Sequence, residues 1–479
     1  MSISTGGRIA ALCMGACCLI APSVSSAVRA ELDSRTSAWL YPVVGRDGIA
    51  VADTFLLQSR LRLLLHDILP VDEGDADPTD DPDLAAATSL RWFYDFGVGG
   101  ASDPDDPGFV PMLERTTLDV LFAYIEATNL IGGTLDARFG RLVHTGPLGW
   151  RSDDGLLLHA GRRRWAKLTL LGGVENLRGL WFSASPFSPD GIERWDVGGE
   201  AADRYYRRPG RETVRYRPVF QGSIASRVGP VGYDIGYRHA WKSLDGGTGE
   251  SLFGAEVDVE VDSMSALAGV RVNAATAMLA DVLAEASLGL AGGRHRVDVA
   301  YEFFTPTFDL DSIFWAFSAD PFHEVTAKYR FPVLGPVSGQ AWTSFRRVQE
   351  GGNSGDAEPV LGPFSDLGGG VGLSLRLARL VSSARWKVLR GTATSLSAFD
   401  LTTRVEAASR VAAWGVASIW QYEDRPRAGY HGVGGAGRLG ARLRINPELA
   451  VDGELQVAHD PREGTTFAGF LWLDLGAVL

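Results

Sequence analysis

The stretch that decides the fold is residues 436–479, AGRLGARLRINPELAVDGELQVAHDPREGTTFAGFLWLDLGAVL. Its first run places Leu439 and Leu443 on one side of an extended chain and arginines on the other. After a turn at 446–448, a second run alternates aliphatic with acidic and amide residues, and a third alternates leucines over 467–479. A period of two predicts three β-strands, each with one aliphatic and one polar face.

Two classes of protein fit such strands. In a soluble sandwich the aliphatic face packs in a core, whereas in a membrane barrel it faces lipid and the charged face lines a wet lumen. The run 255–262 favours the barrel, because it alternates valines with acids, and an unpaired acidic face does not fit a protein core. The residues predicted to face the lumen are Glu256, Asp258, Glu260, Asp262, Arg438, Arg442 and Arg444.

The N-terminus predicts export. Residues 1–30 have a basic start at Arg8, an apolar run over 9–21 and small residues before a cleavage point near 27 or 30, as in a secretory signal peptide. The apolar run is too short to span a bilayer as a helix. All 3 cysteines lie inside it, so the exported chain would hold no disulfide. The remaining residues, 31–479, are expected to form a single transmembrane barrel domain.

Hairpins repeat along the chain with short turns at one end, such as Gly229-Pro230, and long connections at the other, such as 187–212. This asymmetry is typical of outer-membrane barrels. The predicted fold is therefore an all-β, antiparallel transmembrane barrel with an even number of strands, about 18 within a range of roughly 16–22. The segment 274–290 fits either a strand or a helix, because its alanines favour a helix.

The composition of the chain limits the kinds of ligand and surroundings that it fits. A formal net charge of −12 with 22% charged residues argues against nucleic acid as a ligand. Aromatic residues near strand ends, such as Trp241, Trp420 and Tyr422, suit an interfacial girdle. We expect the outer membrane of a Gram-negative bacterium, contact with its lipid, assembly through the C-terminal strand, and a monomer.

Two acidic loops, 72–83 and 103–108, offer carboxylates that could bind Ca²⁺ loosely. The EF-hand spacing with its closing glutamate is absent from both, which favours solvated loops. No cofactor is expected.

Arginines are concentrated in residues 138–217, where 141–166 is predicted to form one long loop and a second loop follows it. They either pair with local acids and stiffen these loops, or they form a constriction for carboxylate or phosphate solutes, with aromatic side chains that stack on sugars. The constriction candidates are Arg141, Asp153, Asp154, Arg162, Arg163, Arg164, Tyr205, Tyr206, Arg207, Arg208 and Arg211.

The run 137–158, ARFGRLVHTGPLGWRSDDGLLL, resembles the "GRQ … FDG" stretch of the alginate-export type of bacterial outer-membrane porins. Gly140-Arg141 stands at the GR and Asp154-Gly155 at the DG. The resemblance implies a wide monomeric barrel for an anionic or sugar-like solute. Leu142 replaces the glutamine, and Leu479 ends the chain where such barrels usually have an aromatic residue.

The function that these features predict is a porin that passes small anionic or sugar-like solutes passively, and not an enzyme. A barrel enzyme of the lipid-hydrolase type is one alternative and would need a serine beside a histidine. The 8 histidines are scattered singly, outside any G-x-S-x-G or H-E-x-x-H motif. A soluble exported β-protein is the other alternative.

Overall fold

The computed structural model describes residues 28–44, 50–68, 82–96, 116–149, 151–161, 166–175, 217–241, 248–275, 277–305, 321–349, 364–392, 394–424, 430–461 and 464–478. Its first eleven strands are β1 (Arg29–Val44), β2 (Ala50–His66), β3 (Asp83–Asp95), β4 (Thr116–Asn129), β5 (Leu135–His144), β6 (Arg151–Ala160), β7 (Lys167–Glu175), β8 (Arg217–Val228), β9 (Val231–Trp241), β10 (Thr248–Val261) and β11 (Met264–Asn273). The next eleven are β12 (Met278–Leu290), β13 (His295–Phe304), β14 (Phe322–Leu334), β15 (Val337–Val348), β16 (Phe364–Arg376), β17 (Leu380–Gly391), β18 (Thr394–Ala408), β19 (Val411–Asp424), β20 (Tyr430–Arg444), β21 (Leu449–Asp460) and β22 (Gly464–Val478).

The strands close into a barrel. Each strand pairs antiparallel with its neighbours in the chain, and β1 pairs with β22 from Glu31 opposite Val478 to Leu40 opposite Gly469. Closure leaves no strand edge unpaired around the ring, which is how a sheet avoids open edges. The all-β antiparallel barrel and its even strand number are confirmed.

The strand count is a correction, because the described residues form 22 strands and not about 18. One source of the error is 141–166, which is a hairpin of β5 and β6 joined by residues 145–150 and not a long loop. Leucines on both faces of β6, such as Leu156 and Leu157, hid its period of two. The other source is the merging of short strands.

The segment 274–290, which fitted a strand or a helix, contains strand β12. Ala286 lies opposite Ala266 of β11 and Val299 of β13, so its backbone is hydrogen-bonded on both sides. Tertiary pairing here overrides the helix preference of alanine, since intrinsic propensity is a weak prior.

The connections differ between the two ends of the barrel. At the end that holds Arg29 and Val478, most are short, such as Gly229-Pro230 and residues 262–263. At the opposite end lie the longer ones, including 176–216 and 305–321. Residues 67–82 are an exception, because this long acidic connection lies at the end of the termini.

The two faces of the sheet are told apart by side chains that meet across intervening strands. Arg238 of β9 bonds to Asp153 of β6 at 2.9 Å, although β7 and β8 lie between them. Such a contact requires the concave side of the sheet, so this face is the inner face. The opposite, outer face exposes large apolar side chains, including Leu439 at 73%, Leu455 at 72% and Phe139 at 66%.

The described residues include one helical turn, α1 (Leu130–Gly133), between β4 and β5, with left-handed angles at Ile131 and Gly132. No helix in the described ranges is long and apolar enough to cross a membrane.

Candidate functional site on the inner wall

A buried ion cluster ties six strands, β5 to β10, together on the inner face. The Arg238 guanidinium, with 0% of its side chain exposed, lies 2.9 Å from Asp153, 3.1 Å from Glu175 and 3.4 Å from Glu250. A buried charge is tolerated only when partners compensate its lost hydration, and three carboxylates surround this one. The further members of the cluster are His144, Arg151 and Arg217. Three arginines and three carboxylates balance in charge, and their ion pairs join strands β6 to β10 of the wall.

Residues 145–149 of the β5–β6 connection fold into the barrel beside this cluster. Leu148 is 1% exposed and packs over Gly236 of β9 and Gly254 of β10. A side chain at Gly254 would overlap the carbonyl oxygen of Pro147, so only glycine admits this close approach. The connection leaves the wall between β5 and β6 and lies against β9 and β10, and therefore occupies part of the inner cross-section.

A row of arginines crosses β1, β2 and β3. Arg60 of β2 lies directly opposite Arg35 of β1 on one side and Arg91 of β3 on the other. Beyond them, Asp474 of β22 lies opposite Arg35 and Asp119 of β4 lies opposite Arg91. Residues that lie opposite each other in paired strands share one face of the sheet. Followed from strand to strand from β9 to β22 and on to β1, the pairs place this row on the same inner face as Arg238. We call these three arginines the arginine row.

Like charges placed directly opposite destabilise a sheet, so the arginine row needs an explanation. The carboxylates at its ends hold the outer members, with Arg35 3.5 Å from Asp474 and Arg91 2.6 Å from Asp119. The middle member, Arg60, donates only to the Ser89 hydroxyl at 3.3 Å among the described residues. Its charge faces the interior without a carboxylate, which makes the row an attractive surface for anions.

The acids predicted on β10 lie in the alternation of the inner face. Glu256 and Asp258 share that alternation with Leu252, which stands opposite Arg238, and Asp258 forms an ion pair with Arg227. Glu260 continues the same alternation. Asp262 differs, because β10 ends one residue before it and it occupies the turn with a φ of 40°.

The arginines predicted on β20 also lie on the inner face. Arg442 is 3.1 Å from Asp474 and 3.5 Å from Asp452, and Arg438 is 3.8 Å from Glu454. The inner wall is thus mixed in sign here, with each base near an acid. Arg444, the last residue of β20, is exposed at the end of the strand.

The candidates on β5 and β6 separate onto the two faces. Asp153 belongs to the buried ion cluster, whereas Arg141 and Asp154 share the outer-face alternation of Phe139. Arg141 bonds Asp154 at 2.7 Å and donates to the Val120 carbonyl at 3.0 Å. This carbonyl is accessible because β5 pairs with only part of β4, residues 123–127. The first residues of β4, from Thr116 to Phe122, have no residue of β5 beside them.

Several predicted residues lie outside the described ranges. These are Arg162, Arg163, Arg164, Tyr205, Tyr206, Arg207, Arg208 and Arg211, with the acidic loop 103–108 and all but the last two residues of 72–83. In the described part of the chain, no group of three or more histidine, cysteine, aspartate or glutamate side chains is arranged to hold a metal ion.

Sequence reasoning missed the arginine row. Arg60 and Arg62 stand out as the polar residues of an alternating run, but their partners on β1 and β3 depend on register. The signal in the sequence was the arginine at an inner position of each of three consecutive strands. Only the pairing brings them side by side.

Comparison with known proteins gives a fold likeness alone. No family model and no curated protein matches the chain. Among solved structures, a BenF-like porin from Pseudomonas fluorescens Pf-5 is 8% identical over 95% of this chain and 99% of that chain, with a TM-score of 0.46. OccK9 (OpdG) of Pseudomonas aeruginosa is 9% identical over 95% and 99%, also with a TM-score of 0.46. OccAB4 of Acinetobacter baumannii is 7% identical over 95% and 99%, with a TM-score of 0.44.

At these identities no functional residue carries over from one chain to another. No family model matches the chain, so the resemblance of 137–158 to alginate-export porins has no support from a family comparison. In the structure, the GR at Gly140-Arg141 and the DG at Asp154-Gly155 lie opposite each other in the β5–β6 hairpin.

Proposed function

We propose that the chain is an outer-membrane porin of a Gram-negative bacterium that passes small anionic or sugar-like solutes passively. The closed ring supports a membrane location, because only helices and closed barrels satisfy every backbone group within lipid. The outer face exposes apolar side chains on strand after strand, and most ion pairs of the described residues lie on the inner face, with Arg141–Asp154 as an exception. A soluble exported β-protein would bury its apolar face, so this distribution favours the membrane.

The arginine row is the observation that carries the solute preference. Three guanidinium groups lie in one line on the inner wall, and the central one, Arg60, has no carboxylate partner among the described residues. Guanidinium groups recognise carboxylate and phosphate through paired hydrogen bonds. The row holds three arginines beside the two carboxylates of Asp474 and Asp119, so it leaves a local excess of positive charge.

The test is the reversal potential of single channels in a planar bilayer under a KCl gradient. We expect anion selectivity in the wild type, and Arg60→Gln should lower the anion-to-cation permeability ratio about twofold to threefold, as for one charge roughly 7 Å from an ion in water. Arg379→Gln is the matched control, because Arg379 is exposed in the turn between β16 and β17. A cation-selective wild type, or an unchanged ratio in Arg60→Gln, would contradict the anion preference, and absence of channels would contradict the porin.

We also propose how the chain is processed and assembled in the outer membrane. Cleavage of the signal peptide near residue 27 fits better than cleavage near 30, since β1 begins at Arg29, which pairs with His66. Strand β22 presents the assembly signal and the outer face contacts membrane lipid, as in other outer-membrane barrels. A monomer is expected. Intact mass of the membrane-extracted protein, and its mass in detergent by light scattering, test these points.

A further inference from the structure

Two tryptophans of β19 face the interior instead of forming part of an interfacial girdle. Trp414 stands opposite Gly440 of β20, and Trp420 stands opposite Gly434. Gly440 alternates with Arg438 and lies opposite Glu454, which places it on the inner face. Trp414, opposite Gly440, is therefore also on the inner face. Trp420 lies six positions further along β19, an even number, and so shares that face.

The two indole rings lie over the wall. A methyl side chain at Gly434 would lie 2.6 Å from Nε1, 2.6 Å from Cε2 and 2.8 Å from Cζ2 of Trp420, so this edge of the indole lies over the glycine. Gly440 is covered by Trp414 through the same three atoms. The Trp414 Nε1–H donates to Glu454 of β21 at 2.8 Å, so this ring reaches across β20.

The arrangement recurs on another part of the inner wall. Trp342 of β15 stands opposite Gly370 of β16, where a methyl group would lie 2.9 Å from Nε1 and 3.0 Å from Cε2 of the indole. Glycine at each opposite position leaves room for the ring to settle on the backbone. Each indole is therefore held against the inner wall, and all three residues are partly exposed.

Polar groups lie between the two indoles of β19. Arg438, half exposed, stands opposite Val416, and Ser418 donates to Asp400 at 2.8 Å. Lys387 lies 3.4 Å from the same carboxylate. The indoles are thus separated by about 20 Å of strand lined with hydrogen-bonding groups of both signs.

We infer that Trp414 and Trp420 form a binding track for neutral sugar rings, an inference that rests on the proposed porin function and names one solute class. The apolar C–H face of a pyranose packs against a flat aromatic face, and its hydroxyls can donate to carboxylates and accept from guanidinium and ammonium groups. Glu454 and Asp400 beside the rings are offset by Arg438 and Lys387, so this stretch of wall carries hydrogen-bonding groups without a net charge. The track therefore suits neutral sugars, whereas the arginine row suits anions.

The test is block of single-channel ion current by maltohexaose, a neutral linear oligosaccharide. We expect concentration-dependent block of the wild type and no block by sorbitol, an open-chain polyol that has hydroxyls but no ring. Trp414→Ala with Trp420→Ala should weaken the block about tenfold or more, on the scale of lost aromatic contacts. Trp386→Ala is the matched control, because Trp386 is 49% exposed on the outer face, and its block should equal that of the wild type.

The outcomes separate this inference from the porin function. Channels that conduct ions but are not blocked by maltohexaose, or are blocked equally in the double variant, would overturn the sugar track and leave the porin intact. Block by sorbitol would overturn it as well. Gly434→Val keeps both indoles and lifts Trp420 from the wall, so it should weaken the block by itself if the double variant does not fold. An unchanged block in that variant would count against the track.

Discussion

At the scale of single residues, the most constrained side chain is Arg238, which is fully buried among Asp153, Glu175 and Glu250. Arg238→Met keeps much of the volume but leaves three carboxylates without their shared cation, so we predict a loss of about 3–5 kcal/mol in the free energy of unfolding. Arg227→Met is the control, because its partner Asp258 is half exposed and such pairs contribute less than about 1 kcal/mol. Urea titrations of the folded protein in vesicles measure both, and equal losses would show that the Arg238 cluster is not a structural anchor.

At the scale of one element, β10 shows how a single strand serves two environments. Val257 is 44% exposed on the outer face, and Glu260 lies in the inner alternation of the same strand. An arginine that faces lipid costs roughly 2–4 kcal/mol near the midplane, whereas one that faces water costs little. We therefore predict that Val257→Arg lowers folding yield into liposomes much more than Glu260→Arg does. The measurement is the folded fraction on a semi-native gel, and comparable yields for the two variants would refute the assignment of faces.

At the scale of the whole molecule, closure depends on the pairing of β1 with β22. Removal of residues 464–479 would expose the edges of β1 and β21, whose unpaired backbone groups lipid cannot satisfy. We predict that this deletion abolishes the heat-modifiable, fast-migrating form on detergent gels. Shortening the connection between β15 and β16 by residues 351–360 should preserve that form, since loop length changes closure entropy only slightly. A truncated chain that still migrates as a folded barrel would disprove the role assigned to β22.

The sequence alone predicted the class of fold because alternation is a local property. The runs around Leu439, Leu455 and Leu471 lie in β20, β21 and β22, and their aliphatic side chains are on the exposed outer face. A period of two over each run was enough to indicate strands with one polar and one apolar face. The membrane interpretation followed from the repetition of that pattern, because a soluble core could not bury so many strands with charged faces.

The tertiary structure alone decided the strand count, the inward course of 145–149 and the groups that meet on the inner wall. Arg35, Arg60 and Arg91 belong to three different strands, and a shift of one residue in either pairing would send one of them to the outer face. Likewise, Trp414 reaches across β20 to Glu454 only because a glycine stands opposite it. Alternation within a strand defines its two faces, but the register between strands determines which side chains become neighbours. Turns, bulges and closure of the ring set that register, and the alternation within a single strand carries no information about them.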